Sequence, residues 1–379
     1  MNSGELGGSV QDPSGAVLPG ASISAESTGT GQAFASVSNN SGEYLLPQLP
    51  SGIYTLKVSA PNFKQVLARL EIHAGDRQRR DFTLQVGEAS EIIEVREGMG
   101  GLQLDSTEIR NTVGRQQAVA LPLKSRQFLD LAMLTEGVVR PPGGTRGDAL
   151  QQAGTLVNVL GQRSGHNLYL LDGVTVTDEH FNNLVIAPSV DSIQEVNIQK
   201  TSYAPEFGGK SGAVINVISR AGTNTAHGSL FEFVRNNVFD AKNYFDAPNA
   251  PTPPFRQNQF GGSLGGPAVH NRTFFFLSYE GQRVRKSLTQ TFSVPTAVMR
   301  AGDFTGLPVI FDPAGAGGQR VPFADNRVPG LRLDPVAAEL LKRIRPPNLP
   351  GIAQNLLAAE KQRINANQYS ARLDHQFSS

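Results

Sequence analysis

Short β-prone apolar runs recur along the 379-residue chain, several of them alternating apolar and polar residues with period two, and glycine- and proline-rich stretches separate them. Such a pattern predicts strands joined by turns. Between residues 5 and 86, β-prone runs fall at 21–25, 33–37, 44–46, 53–58, 66–72 and 82–86. Asp12-Pro13-Ser14-Gly15, Asn40-Ser41-Gly42, Pro50-Ser51-Gly52 and Ala74-Gly75-Asp76 punctuate them with turn chemistry. This regular spacing predicts a small antiparallel β-sandwich.

The middle of the chain is read the same way. An apolar run at 168–171 enters Asp172-Gly173, a dipeptide that tolerates positive φ, and 174–176 leads out, which predicts a hairpin. Residues 193–198 alternate, with Ile193, Val196 and Ile198 set against Gln194, Glu195 and Asn197, and 213–218 is a second apolar run. Between them lies the turn Phe207-Gly208-Gly209-Lys210-Ser211-Gly212, whose glycines allow a sharp reversal and close approach to another backbone. Gly209-Lys210-Ser211 is not the end of a phosphate-binding loop, because Ala204 stands where that motif needs its first glycine and a strand pattern follows instead of a helix. Upstream, Ser125 is placed to cap a helix running to Leu134, with Phe128, Leu131, Met133 and Leu134 on its apolar face. The segment 141–147 reads as a loop.

From residue 225 the candidate strands are 227–235, 258–265 and 273–282, the last with Phe275, Leu277 and Tyr279 on one face and Ser278 and Glu280 on the other. Tyr369, Ala371, Leu373, His375 and Phe377 alternate with Gln368, Ser370, Arg372, Asp374 and Gln376. A membrane strand and a half-buried soluble strand share this alternation. Residues 295–362 read as a long irregular excursion, broken by a helix at 335–344 that Asp334 caps and Pro335 opens.

Four strings stand in a fixed order: "YLLDGV" at 169–174, "SIQEVNI" at 192–198, "YAPEFGGKSGAVINVISRAGTN" at 203–224 and "HGSLFEFVRN" at 227–236. Their order resembles the plug domain of TonB-dependent outer-membrane receptors at its hand-over to the first barrel strand, and their spelling resembles the Oar-like branch. "GSVQDPSGAVLPGASI" and "SGEYLLPQLPSGIYTLKVSAPNF" resemble a carboxypeptidase-regulatory-like sandwich, a starch-binding-like module that is not catalytic. "LPLKSRQFLDLAMLTEGV" at 121–138 is similar to another plug segment, with Glu136 where proline is usual. The resemblance implies a mainly β fold: an N-terminal antiparallel β-sandwich, an α+β plug domain, then the first strands of an incomplete outer-membrane β-barrel. The expected boundaries are 1–87 for the sandwich, 88–101 for a linker, 102–224 for the plug and 225–379 for the start of the barrel. Within the linker, Glu91, Ile92, Ile93, Glu94 and Val95 resemble the TonB box, whose physics is strand addition; the same run also reads as the last strand of the sandwich or the first of the plug. The plug motif residues are Arg163, Asp172, Gly173, Glu195, Phe207, Gly208 and Gly212. Arg163, which closes a "VxGxR"-like string, is expected to face the barrel wall and pair with a carboxylate that need not belong to this stretch of sequence.

Composition narrows the function further. A net charge of +1 with no long basic run, and the absence of any base-reading module, argue against nucleic acid. There is no cysteine, hence neither a disulfide framework nor a thiolate metal site. Asp172, Asp178, Glu179 and His180 fit neither a zinc helix nor a calcium loop, and the six histidines are scattered, so no metal, cofactor or catalytic constellation is expected. The first residues do not form an export signal, and 155 residues from 225 to 379 hold about four to six strands against roughly 22 in such transporters, so a piece of a receptor is expected. The expected role is binding and gated uptake rather than catalysis. Expected partners are TonB, outer-membrane lipid and an extracellular ligand, a glycan or peptide, and the sandwich is expected on the periplasmic side. The alternative is a surface adhesion or carbohydrate-binding protein working through its sandwich.

Overall fold

The computed structural model describes residues 3–88, 92–95, 108–121, 123, 126–141, 156–178, 180, 182, 184–203, 207–241, 252, 254–313 and 320–377. The chain forms two compact units, one of Met1–Phe231, Gly261–Glu280 and Asn367–Ser379, the other of Glu232–Phe260 and Gly281–Ala366.

The first unit opens with a sandwich. Its strands are β1 (Ser3–Gln11), β2 (Ser22–Ser27), β3 (Ala33–Val37), β4 (Glu43–Pro50), β5 (Gly52–Ser59), β6 (Gln65–Ile72), β7 (Arg77–Arg79), β8 (Phe82–Thr83) and β9 (Ile92–Val95). One sheet runs β4-β1-β7, with β8 also on β1; the other runs β3-β2-β5-β6-β9. Most pairs are antiparallel, as the spacing predicts, but β1 pairs in parallel with β7 and β8, and β6 with β9. Between the sheets Leu6, Ile23, Leu46, Leu49, Tyr54 and Leu56 are almost fully buried. The pattern along the chain does not reveal β1. Its buried positions are Gly4, Leu6, Gly8 and Val10, and a Cβ on Gly8 would lie 1.8 Å from the Arg80 carbonyl oxygen, so two core positions carry no apolar side chain. The run at 82–86 shortens to β8, with Val86 bridging only to Phe63.

The same unit holds a second, mixed sheet. Its elements are β10 (Ile109–Gly114), α1 (Arg115–Ala120), α2 (Leu129–Ala132), β11 (Val138–Val139), β12 (Asn158–Val159), β13 (Leu168–Leu171), β14 (Val174–Thr175), β15 (Ile193–Thr201) and β16 (Val214–Ser219). The sheet order is β10-β15-β16-β13-β14, with β13 parallel to β16 and the other neighbours antiparallel; β11 and β12 pair separately. The expected helix at 125–134 contracts to the single turn α2, whose N-cap is Phe128 with no side-chain cap bond. Ser125 lies outside the described residues. Phe128, Leu129 and Leu131 do reach the core beside Val196, Ile198 and Ile215, while Leu134 is exposed. Four apolar positions suffice to bury one turn but not to extend it, because Gly137 takes positive φ and redirects the chain.

Four long strands follow: β17 (His227–Asn236), β18 (Phe255–Val269), β19 (Thr273–Phe292) and, after the excursion, β22 (Leu356–His375), in the order β17-β18-β19-β22. Each contributes residues to both units. The second unit also contains α3 (Ala297–Arg300), the pair β20 (Phe311–Asp312) and β21 (Val321–Pro322), and α4 (Pro335–Arg343). Asp334 caps α4 by accepting from the Val336 and Ala337 amides, as its position before Pro335 predicts. At the other end of α4 the Arg300 guanidinium donates to the Leu341 and Ile344 carbonyls, partners for groups the last turn leaves open. The excursion ends earlier than the sequence suggests, since β22 already starts at Leu356.

Candidate functional site

The candidate site is the mixed sheet together with the strands and the sandwich turn that hold it. At its centre is the 168–175 hairpin. Asp172 (φ 49°) and Gly173 (φ 78°) make the two-residue turn, and Leu171 faces Val174. The Asp172 carboxylate accepts from the Ser219 amide at 2.9 Å and from the Ser219 hydroxyl at 2.6 Å, so the hairpin is tied to the end of β16. Gly173 donates its amide to Asn216 Oδ1. These bonds occupy Asp172 structurally.

The glycine turn follows a similar logic. Phe207 is half-buried, Gly208 is exposed, and Gly212 is buried against residues 166 and 167. A Cβ on Gly212 would stand 2.6 Å from Asn167 Oδ1 and 2.7 Å from the His166 carbonyl oxygen, and the Gly212 amide donates to that carbonyl at 2.8 Å. Asn167, itself fully buried, donates to the Val157 carbonyl and accepts from the Ala213 amide. The turn is therefore a close backbone approach with no room for a side chain. Glu136, in the proline position, accepts from the buried Lys200 Nζ at 2.8 Å, and that ammonium holds the Glu136 carboxyl below its usual range.

Arg163 is exposed at the turn after β12, and among the described residues its guanidinium has no ion-pair partner. Other arginines, which the sequence reading did not single out, face the long strands instead. Arg126 pairs with Asp191 and lies 4.5 Å over the Phe231 ring; Arg220 lies 4.7 Å over Phe276. Burial, and then Arg115 beside it, lowers Arg220 to about 10, so it stays cationic at neutral pH. From β22, Arg372 donates to the Ser219 carbonyl and hydroxyl and to Asp374, and Gln368 donates to the Ala187 carbonyl. From β19, Glu280 accepts from the Ser189 hydroxyl at 2.6 Å.

These contacts orient the strands. Along 368–374 of β22 the polar residues turn toward the mixed sheet and the apolar residues turn away from it, Tyr369 being 76% and Leu373 70% exposed, while Phe231 of β17 and Phe276 of β19 lie inward against Arg126 and Arg220. Gln368, Ser370, Arg372 and Asp374, which alternate with Tyr369 and Leu373, are half-buried. A soluble strand buries its apolar face. On this stretch of β22 the apolar face is the outer one, which is the arrangement of a wall against hydrocarbon.

On the other side, the mixed sheet meets the sandwich. Glu195, 2% exposed, accepts from the Ala74 amide at 2.8 Å and lies 2.6 Å from His73 Nδ1. Arg110 from β10 pairs with Asp76 at 3.1 Å and donates to the Ala74 and Gly75 carbonyls. The alternation sets Glu195 and Asn197 against the apolar residues, and β15 is covered on both faces. Only the number of amide and acidic residues in so apolar a strand signals a second contact. Of the linker candidates, Glu91 lies outside the described residues. Ile92, Ile93, Glu94 and Val95 form β9, in parallel register with Gln65, Val66, Leu67 and Ala68, as the terminal strand of its sheet. A cavity of about 680 Å³ opens between Thr28, Tyr54, Ser219, Thr223, Arg372 and Gln376.

Residues 5–85 match the family model of the carboxypeptidase regulatory-like domain, and residues 218–379 match that of an outer membrane beta barrel domain. Among curated proteins, the chain is similar to the TonB-dependent transporter Oar of Myxococcus xanthus, with 28% identity over 276 residues, which is 68% of this chain and 24% of that protein. It thus spans about a quarter of the length of the curated relative it matches. Among solved structures it is similar to the outer membrane transporter YddB from Escherichia coli, with 15% identity and a TM-score of 0.38 over 50% of this chain and 27% of that one. It is also similar to the siderophore receptor PirA from Acinetobacter baumannii, with 16% identity and a TM-score of 0.34 over 48% and 28%.

Proposed function

Starting from a chain that is a homologue of the TonB-dependent transporter Oar, with a carboxypeptidase regulatory-like domain and an outer membrane β-barrel domain, we propose that it acts in gated uptake across the outer membrane. In this reading residues 1–87 are a periplasmic sandwich, 88–101 a linker carrying the TonB-binding strand, 102–224 the plug and 225–379 the first barrel wall. The chain binds and gates; it does not catalyse. One observation carries the reading: β22 holds the mixed sheet through Gln368 and Arg372 on its inner face while presenting Tyr369 and Leu373 outward. That polarity suits a lipid-facing wall around a plug. The partners are then outer-membrane lipid, TonB and an extracellular ligand. Glycan recognition by the sandwich finds little support, because Tyr44, Tyr54 and Phe82 are buried in its core and Phe34 and Phe63 pack against it, leaving no exposed ring pair to stack on a sugar.

Gating is tested by conductance, in planar bilayers, of a full-length receptor carrying these residues, with and without residues 102–224. The intact protein should be closed and the deleted form open; equal tightness of both would sink the proposal. The TonB strand is tested separately, by capture on the periplasmic domain of TonB. Ile93→Pro should reduce capture, since proline removes an amide donor from a strand that must pair by main chain. Unchanged capture would move the TonB contact elsewhere.

A further inference from the structure

We propose that the N-terminal sandwich is a lock on the plug sheet, its 73–76 turn seated on β10 and β15 so that the sheet is released only when the turn withdraws. The lock serves the gating reading above, on which its purpose rests; the contact itself stands on the geometry. Ala74 is its centre. Its amide donates to Glu195 Oε1 at 2.8 Å, and its carbonyl accepts from Arg110 Nη1 at 3.1 Å and from Asn197 Nδ2 at 3.2 Å. Gly75 adds its carbonyl, 2.6 Å from Arg110 Nη2, and takes φ +77°; a Cβ there would meet both terminal nitrogens of Arg110 at 3.3 Å. His73 and Asp76 flank the turn and pair with Glu195 and Arg110, and Asp76 also accepts from the His73 amide, which fixes the turn's shape.

A domain that merely spaced the linker would need no buried charges in its seam. Here Glu195, Asp76 and Arg110 are all nearly inaccessible to solvent, and each is matched by an opposite charge or a main-chain group. Withdrawing the turn would strand those charges in a dry seam unless water followed, so the contact resists partial opening and favours two discrete states. The placement of β9 gives the lock a handle. β9 lies along residues 65–68 of β6, and β6 ends at Ile72, one residue before His73. A force on β9 therefore acts on the strand that leads directly into the lock.

Hydrogen exchange of the Ala74 amide in the intact protein reads the contact without reference to TonB or ligand. Glu195→Ala should speed that exchange by about tenfold or more, and His73→Asn by a smaller factor, while β5 and β16 keep their protection. Should Glu195→Ala disturb β16 as well, His73→Asn decides: faster Ala74 exchange with β16 protected supports the lock. Ala74 exchange equal to that of the parent in His73→Asn, with both strands protected, overturns it. Open conductance in the plug-deleted form bears on gating alone, so the two readings fail separately.

Discussion

His73 and Glu195 meet at 2.6 Å, and the imidazole is pushed above its ordinary value, first by its hydrogen bond to Glu195. Burial opposes the shift; the charges of Glu195, Asp76 and Glu71 add to it. Arg110 and Glu108, paired at 2.7 Å, also lie at the turn. A group whose pKa is raised on folding contributes stability that is complete below its unfolded value, about 6.5 for histidine, and is lost as pH rises through the folded value. Protection of the Ala74 amide, corrected for intrinsic exchange, should therefore hold steady below about pH 6.5, the unfolded value, and fall as pH rises through the raised folded value. In His73→Asn that slope should vanish; a parent profile flat to about pH 9 would refute the assignment. At Gly212 the argument is steric. Gly212→Ala places a methyl group 2.6 Å from Asn167 Oδ1 and should cost about 1–3 kcal/mol, seen as lost exchange protection in β13 and β16.

At the scale of elements, what the sequence reveals depends on how many neighbours a segment has. The Asp172-Gly173 hairpin and α4 are local objects, decided by a turn dipeptide and by an Asp-Pro cap, and both are found where the residues place them. β15 is legible as a strand but not in its orientation, because Glu195 and Asn197 face a neighbouring domain rather than solvent. β1 is hidden because Gly4 and Gly8 fill core positions where backbone crowds out any side chain. The helix at 125–134 is over-read: period alone cannot show where the core stops receiving apolar groups. Arg163 is exposed after β12, while Arg126 and Arg220 meet aromatic rings of the long strands and Arg372 reaches back to Ser219, contacts that only tertiary placement reveals. The tie between hairpin and β16 is testable at this scale. Asp172→Ala removes both acceptors of Ser219 and should cost about 1–3 kcal/mol, read as faster exchange of the Ser219 amide with β15 unaffected.

For the molecule as a whole, the decisive property is the sign of the alternation along the last strand, 368–374: apolar out, polar in. Residues 369–377 show the alternation in sequence, but membrane and soluble strands share it. Arg372 settles the direction by reaching Ser219. Leu373→Arg should cost about 2–4 kcal/mol if Leu373 sits near the bilayer midplane, and should reduce the fraction recovered in outer membranes. Ala371→Ser, on the same outer face but nearly isosteric, should leave recovery unchanged. Equal recovery of Leu373→Arg and the parent would mean that this face does not meet lipid.

Ala74 engages the plug almost wholly through its own peptide groups. An alanine scan passes over such a residue, and side-chain drift at neighbouring positions leaves its amide and carbonyl untouched. What would disarm it is an ester in place of the amide before residue 74, which deletes the donor to Glu195 while leaving every side chain as it was. A docking edge written in main chain also makes the sandwich portable: any small module with a tight turn and a compact residue at its tip could be recombined onto a plug that keeps Arg110, Glu195 and Asn197.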